Sequence, residues 1–172
     1  MAKALRRGLD ALYLAGGVIG AGFLVLILLT IVAQMAARWA GLIFPGGANY
    51  AGYFMAAATS FALAHALNRG AHIRVSLVLE KLGRWRKAGE IVSHLAAAVV
   101  ATFFARYAIK AVYWSWKLKD VSQGQDATPL WIPQVALAAG ACLLAIALWD
   151  HVVRLLFTRH MGVAAPEGAG GH

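Results

Sequence analysis

Residues 11–35 read ALYLAGGVIGAGFLVLILLTIVAQM, a run of 25 residues without a single Asp, Glu, Lys or Arg. An α-helix needs about 20 mostly apolar residues to cross the hydrocarbon core of a bilayer. In lipid the backbone amides have no water to bond, so such a run closes its hydrogen bonds within its own helix. Lys3, Arg6 and Arg7 precede it and resemble the charged start of a secretory signal. The apolar stretch is longer than the about 7–15 residues of a signal core, and no small-x-small cleavage site ends it. The expectation is a retained anchor helix.

Three further segments have the same character. They run from about Tyr50 to Leu67, from about Ile91 to Tyr113 (interrupted by Arg106 and Lys110), and from about Leu130 to Val153. The whole chain agrees with them. Of 172 residues, 61% are hydrophobic and 13% charged, where a soluble domain carries about a quarter charged. The mean hydropathy is +0.67. One cysteine, Cys142, cannot form an internal disulfide, and no Cys/His spacing suggests zinc.

The net charge of +9 would suit nucleic acid if it were spread over a soluble surface. Its placement suits a membrane instead. Eleven Lys and Arg fall in the N-terminal segment, the loop between spans two and three, and the segment after span four. Four (Arg38, Lys110, Lys117, Lys119) fall on the opposite side, and Arg106 lies inside span three. The positive-inside rule then puts both termini and the middle loop in the cytoplasm. All six tryptophans stand near span ends: Trp39, Trp114, Trp116 and Trp131 on the outer side, Trp85 and Trp149 on the inner. That matches the interfacial preference of an indole.

Both outer loops, about 38–49 and 116–128, are too short to fold as an outer domain. Within the middle loop, Val75, Val78, Leu79, Leu82 and Trp85 recur at helical spacing, with Lys81, Arg84 and Lys87 on the other face. This pattern predicts a basic amphipathic helix over about 72–87 lying on the inner membrane surface, where its cations attract anionic lipids. Residues 158–172 are Gly- and Ala-rich without periodicity and read as a flexible cytoplasmic tail.

An ionisable residue within a membrane is a functional signal, and here the inventory is thin. Asp10, Glu90 and Asp150 sit at inner span ends, and no span carries a carboxylate at its middle. A proton-coupled pump built from this chain alone is therefore disfavoured. So is a small multidrug exporter, which has four helices but depends on an embedded Glu. Arg106 lies about 24 Å along its helix from Glu90, close enough to the outer interface to snorkel. His65, His94 and His151 lie near the inner ends of spans two, three and four, a level at which two of them could ligate haem b. Gly16 and Gly20, with a GxxxG spacing, bare one side of span one. Close helix approach there suits contact with lipid or another membrane protein.

Two segments carry a family resemblance. Asn68-Arg69-Gly70-Ala71-His72-Ile73-Arg74-Val75 follows span two, and Thr128-Pro129-Leu130-Trp131-Ile132-Pro133 opens span four. With four spans and a short basic loop, this order resembles the small membrane subunit (DctQ-like) of tripartite ATP-independent periplasmic (TRAP) transporters, over roughly residues 5–156. The sequence departs from the family at Ser76, where Asp is frequent, and at Ala138-Ala139-Gly140, where the fourth span often has a Pro. The resemblance implies a large membrane subunit that holds the solute and ion sites. It also implies a periplasmic binding protein that delivers a solute, usually a carboxylate-bearing one. The small subunit would brace the large one.

The expectation is thus an all-α integral membrane protein of four transmembrane helices, N-in and C-in, with the interfacial helix between the second and third. Residues 1–157 form one membrane domain in the bacterial inner membrane. No catalytic, metal or cofactor group is expected, and no nucleic acid. His72, Arg74, Lys81, Arg84, Lys87, Gly16 and Gly20 are candidates for contact with lipid or the large subunit. Lys119 and Asp126 are candidates for contact with the binding protein. The alternative is a haem b membrane anchor of a respiratory dehydrogenase, and an independent small transporter is a third possibility.

Overall fold

The computed structural model describes residues 2–68, 86–124 and 127–157. Four helices account for nearly all of them: α1 (Ala2–Trp39), α2 (Gly47–Asn68), α3 (Arg86–Leu118) and α4 (Trp131–Phe157). α1, α2 and α3 each contain one of the expected apolar segments and extend beyond it at both ends, while α4 begins one residue inside the fourth and runs past its end. The longest extension is at the start of α1, where Arg6 and Asp10 form an exposed i,i+4 pair at 4.0 Å. A helix of 38 residues is about 57 Å long, so its ends project past a hydrocarbon core of about 30 Å.

By length and composition three helices can cross a membrane, over Arg6–Trp39, Ala88–Leu118 and Trp131–Leu156. The fourth, α2, carries Asn49, Tyr50, Tyr53, Thr59, Ser60 and His65 and is not among these three. The surface helix expected over 72–87 lies outside the described residues except for Arg86 and Lys87, which begin α3. The expected tail, 158–172, also lies outside them.

Helix ends follow local chemistry. At the end of α1, Leu42 N–H bonds Ala37 C=O at 2.8 Å and Gly41 N–H bonds Arg38 C=O at 3.2 Å. This double closure puts the donor of its inner bond in the left-handed region, and Gly41 takes that place with φ +69°. The same closure ends α3, where Asp120 N–H reaches Ser115 C=O at 3.0 Å and Lys119 N–H reaches Trp116 C=O at 3.4 Å. Here the left-handed residue is Lys119, with φ 53°. Pro133 sits in the first turn of α4, where a missing amide is tolerated.

The helices lie in the order α1, α2, α4, α3. Extensive contacts join α1 to α2, α2 to α4 and α4 to α3, while α1 touches α4 lightly. Small residues line these contacts. Ala57, Ala58 and Ala64 of α2, Ala98, Ala101, Ala105 and Ala108 of α3, and Ala138, Ala141, Ala145 and Ala147 of α4 are all buried. Leu67, Leu143, Leu148 and Val152 join them, but many large apolar side chains point the other way: Leu24, Leu28 and Leu29 of α1 are 57–60% exposed, and Phe103 and Val100 of α3 are 60% and 67% exposed. A water-soluble protein buries its Leu, Val and Phe. An alanine interior with a leucine exterior belongs to a protein whose solvent is lipid, where close packing of small residues holds helices together.

Glycine makes the closest approaches. A Cβ on Gly20 would stand 3.1 Å from the Ala58 carbonyl oxygen and 3.3 Å from the Ala62 nitrogen, and one on Gly140 would stand 2.7 Å from the Ser60 carbonyl carbon. Gly140 therefore sets the contact between α2 and α4.

Candidate functional site

One end of the bundle carries Trp39, Trp114, Trp116 and Trp131. Described parts of the connection from α3 to α4 pair with each other there. Val121 and Pro129 form an antiparallel bridge, flanked by Ser122 N–H to Thr128 C=O at 2.8 Å and Leu130 N–H to Asp120 C=O at 3.0 Å. Two tyrosines in the first turns of α2 hold this small hairpin from the side. The Tyr53 hydroxyl donates to Ser122 Oγ at 2.8 Å, and the Thr128 hydroxyl donates to the Tyr50 hydroxyl oxygen at 3.2 Å. The sequence reading passed over both tyrosines. Their three-residue spacing was the available signal, since it puts both on one face of the helix.

Between the hairpin, the end of α3 and the start of α4 lies an open cleft of about 570 Å³, lined by Trp116, Lys117, Lys119, Val121, Pro129 and Trp131. Lys117 Nζ stands 5.2 Å from the Trp114 ring centroid and 5.9 Å from that of Tyr113, within cation–π range. Lys119 is exposed on the cleft wall. Asp126, the other residue expected on this face, lies outside the described residues. The result is a ledge with aromatic and basic lining.

The opposite end carries a polar seam. Tyr13 of α1 is 1% exposed, and its hydroxyl donates to Asp150 Oδ2 of α4 at 3.4 Å. Asp150 also pairs with Arg154 one turn on. His65 Nδ1 of α2 lies 3.1 Å from the Tyr13 carbonyl oxygen, a distance for donation by the Nδ1-protonated tautomer. His94 of α3 and His151 of α4 stack with ring centroids 6.0 Å apart, and His94 Nδ1 lies 2.8 Å from the Glu90 carbonyl oxygen. The three histidines expected at this level are therefore divided. His65 fastens α2 to α1, whereas His94 and His151 fasten α3 to α4. One turn from each of the two histidines, Ala98 of α3 and Ala147 of α4 are both fully buried. Among the described residues, no group of three or more His, Cys, Asp or Glu is placed to hold a metal ion.

Two of the expected contact residues pack inside the chain itself. Gly16 and Gly20 face the chain's own helices, where the expectation had them facing lipid or a partner. A Cβ on Gly16 would meet Leu143 of α4 at 2.5 Å and the Phe61 carbonyl oxygen of α2 at 3.4 Å. The Trp149 indole N–H, near the same end of α4, donates to Thr102 Oγ1 of α3 at 2.9 Å. His72, Arg74, Lys81 and Arg84 lie outside the described residues, and Lys87 is part of α3.

A family model described as "Tripartite ATP-independent periplasmic transporters, DctQ component" matches residues 27–158. That span takes in the last third of α1, all of α2, α3 and α4, and the hairpin with its cleft. A search of curated proteins finds no match. The match does not support the haem-anchor alternative. By a match over most of its length, to helices whose interior and exterior suit lipid, the chain belongs to the DctQ family, the small membrane component of TRAP transporters.

Proposed function

We propose that this subunit is the static brace of its transporter. In this reading a larger membrane subunit carries the solute and the coupling ion, and this chain holds that subunit's fixed part in place. All four helices span the bacterial inner membrane as one domain over 1–157. Both termini are cytoplasmic, and the tryptophan-bearing end faces the periplasm. The transporter takes up a solute, of the carboxylate class, delivered by a periplasmic binding protein, and an ion gradient drives uptake.

The observation that carries the reading is the distribution of charge and bulk. Among the described residues the carboxylates Asp10, Glu90, Asp120 and Asp150 stand toward helix ends or outside the helices, and Asp150 is engaged by Tyr13 and Arg154. A carrier needs polar ligands at mid-membrane; a brace needs apolar faces and anchors. The exposed Leu and Val of α1 offer such a face. The ledge of Trp116, Lys117 and Lys119 offers a binding protein an aromatic and basic footing, with Asp126 a further contact. His72, Arg74, Lys81, Arg84 and Lys87 would engage anionic lipid or the large subunit on the cytoplasmic side. Gly16 and Gly20 serve packing within the subunit.

The test is reconstitution. Proteoliposomes that hold this chain, the large subunit and the binding protein should accumulate a radiolabelled carboxylate under an ion gradient, and vesicles lacking any one component should not. Accumulation by vesicles holding this chain alone would refute the reading.

A further inference from the structure

Among the described residues, the face of α3 that turns away from α4 carries a stripe of mixed cations and aromatic rings. Ala98, Ala101, Ala105, Ala108 and Ser115 form the buried side. On the far side, Arg106, Lys110 and Lys117 alternate with Phe103, Tyr107 and Trp114, and all six are exposed. At 100° per residue these six fall within an arc of about 100°. A shallow cavity of about 250 Å³ lies among Phe103, Arg106, Tyr107 and Lys110. Among the described residues no carboxylate pairs with Arg106 or Lys110. Two cations one turn apart repel each other, so this arrangement stands without a compensating anion from the chain itself.

Depth along the helix orders the stripe. Measured from Glu90 at 1.5 Å per residue, Phe103 lies at about 20 Å, Arg106 at about 24 Å, Lys110 at about 30 Å and Lys117 at about 40 Å. With a hydrocarbon core of about 30 Å, Phe103 sits against acyl chain, and Arg106 and Lys110 reach the carbonyl and phosphate level by snorkelling. Trp114 and Lys117 lie among head groups. That sequence of apolar ring, paired cations and interfacial indole follows the layers of a phospholipid from tail to head. A partner helix would instead have to bring a carboxylate several ångströms into hydrocarbon to meet Arg106, at considerable cost.

We propose that this stripe is a binding site for one anionic phospholipid of the leaflet at the tryptophan-bearing end, its phosphate held between Arg106 and Lys110 and its acyl chain laid along Phe103. The site rests on α3 being a membrane span. It does not depend on which side of the membrane that end faces, nor on the bracing role.

Fluorescence tests it directly, because Trp114 borders the site. The full chain is reconstituted in vesicles of phosphatidylcholine with a minor share of phosphatidylglycerol in both leaflets, and either lipid is brominated in its acyl chains to quench nearby indoles. The Trp114 signal is the difference between the native chain and Trp114→Phe. Brominated phosphatidylglycerol should quench it at lower mole fraction than brominated phosphatidylcholine. Arg106→Gln and Lys110→Gln should each weaken that preference about fivefold, the factor for one cation near an anionic surface, and Arg106→Lys should keep most of it. All three positions face away from the core, so the variants should insert and pack normally, checked by unchanged helical circular dichroism. Equal quenching by the two lipids overturns the site. So does an unaltered preference in the Gln variants, or a preference kept while those variants lose the large subunit on extraction, which would mark the stripe as a protein contact.

Discussion

Gly20 and Gly22 differ by two positions and by almost everything that matters to packing. A Cβ on Gly20 meets the backbone of α2 at 3.1–3.3 Å, while one on Gly22 meets nothing within 4 Å. Gly20→Leu should therefore force α1 off α2 and destabilise the subunit by about 1–3 kcal/mol. Gly22→Leu should change stability by no more than about 0.5 kcal/mol, as at ordinary exposed sites. Thermal unfolding in mild detergent checks both, and equal effects would contradict the assignment of α1's packed face. The stripe of small residues was legible from sequence, but its destination was not. GxxxG spacing says that a backbone can be approached closely, and it does not say whether the approaching helix belongs to the same chain. The histidines show the same gap. Their level at one end of the bundle followed from span boundaries, whereas the division into a His65–Tyr13 contact and a His94–His151 stack depends on which helices are neighbours.

Among the elements, the connection from α3 to α4 is the one whose form the sequence concealed. It reads as a short polar loop, and the structure shows a bridged hairpin held by Tyr50 and Tyr53 of α2. Those two contacts are remote in sequence, and a tyrosine at a membrane interface needs no partner to explain it. Tyr53→Phe removes one hydroxyl bond worth about 1 kcal/mol. The Ser122 amide, which bonds Thr128 across the hairpin, should then exchange with deuterium about fivefold faster, while amides in mid-α4 should be unaffected. Unchanged exchange at Ser122 would mean that the hairpin holds its form without α2. The helices themselves were plainer. Lipid compels a helix wherever the apolar run is long enough, so their existence was legible. Their ends were not, because caps such as Gly41 and Lys119 lie beyond the hydrophobic stretch that a span reading measures.

For the whole molecule, the order α1, α2, α4, α3 leaves α1 and α3 on the outside of the row, each packed closely against one neighbour. Sequence did not reveal this order. In water, periodic hydrophobicity marks the face that turns inward, but in lipid the exterior is also apolar. Alanines are spread around α2 as well, so that helix does not advertise one face. The order matters for function because it exposes two long, chemically different edges. The α1 edge carries Leu and Val, and the α3 edge carries cations and aromatic rings. An open row of helices with an alanine interior has the form of a part made to be completed by something larger. Extraction of the transporter in mild detergent through an affinity tag on this subunit tests that most directly. The account predicts one much larger polytopic membrane protein recovered in equimolar amount and stable through size exclusion. Recovery of this subunit alone, folded and monodisperse from cells that express the whole system, would contradict it.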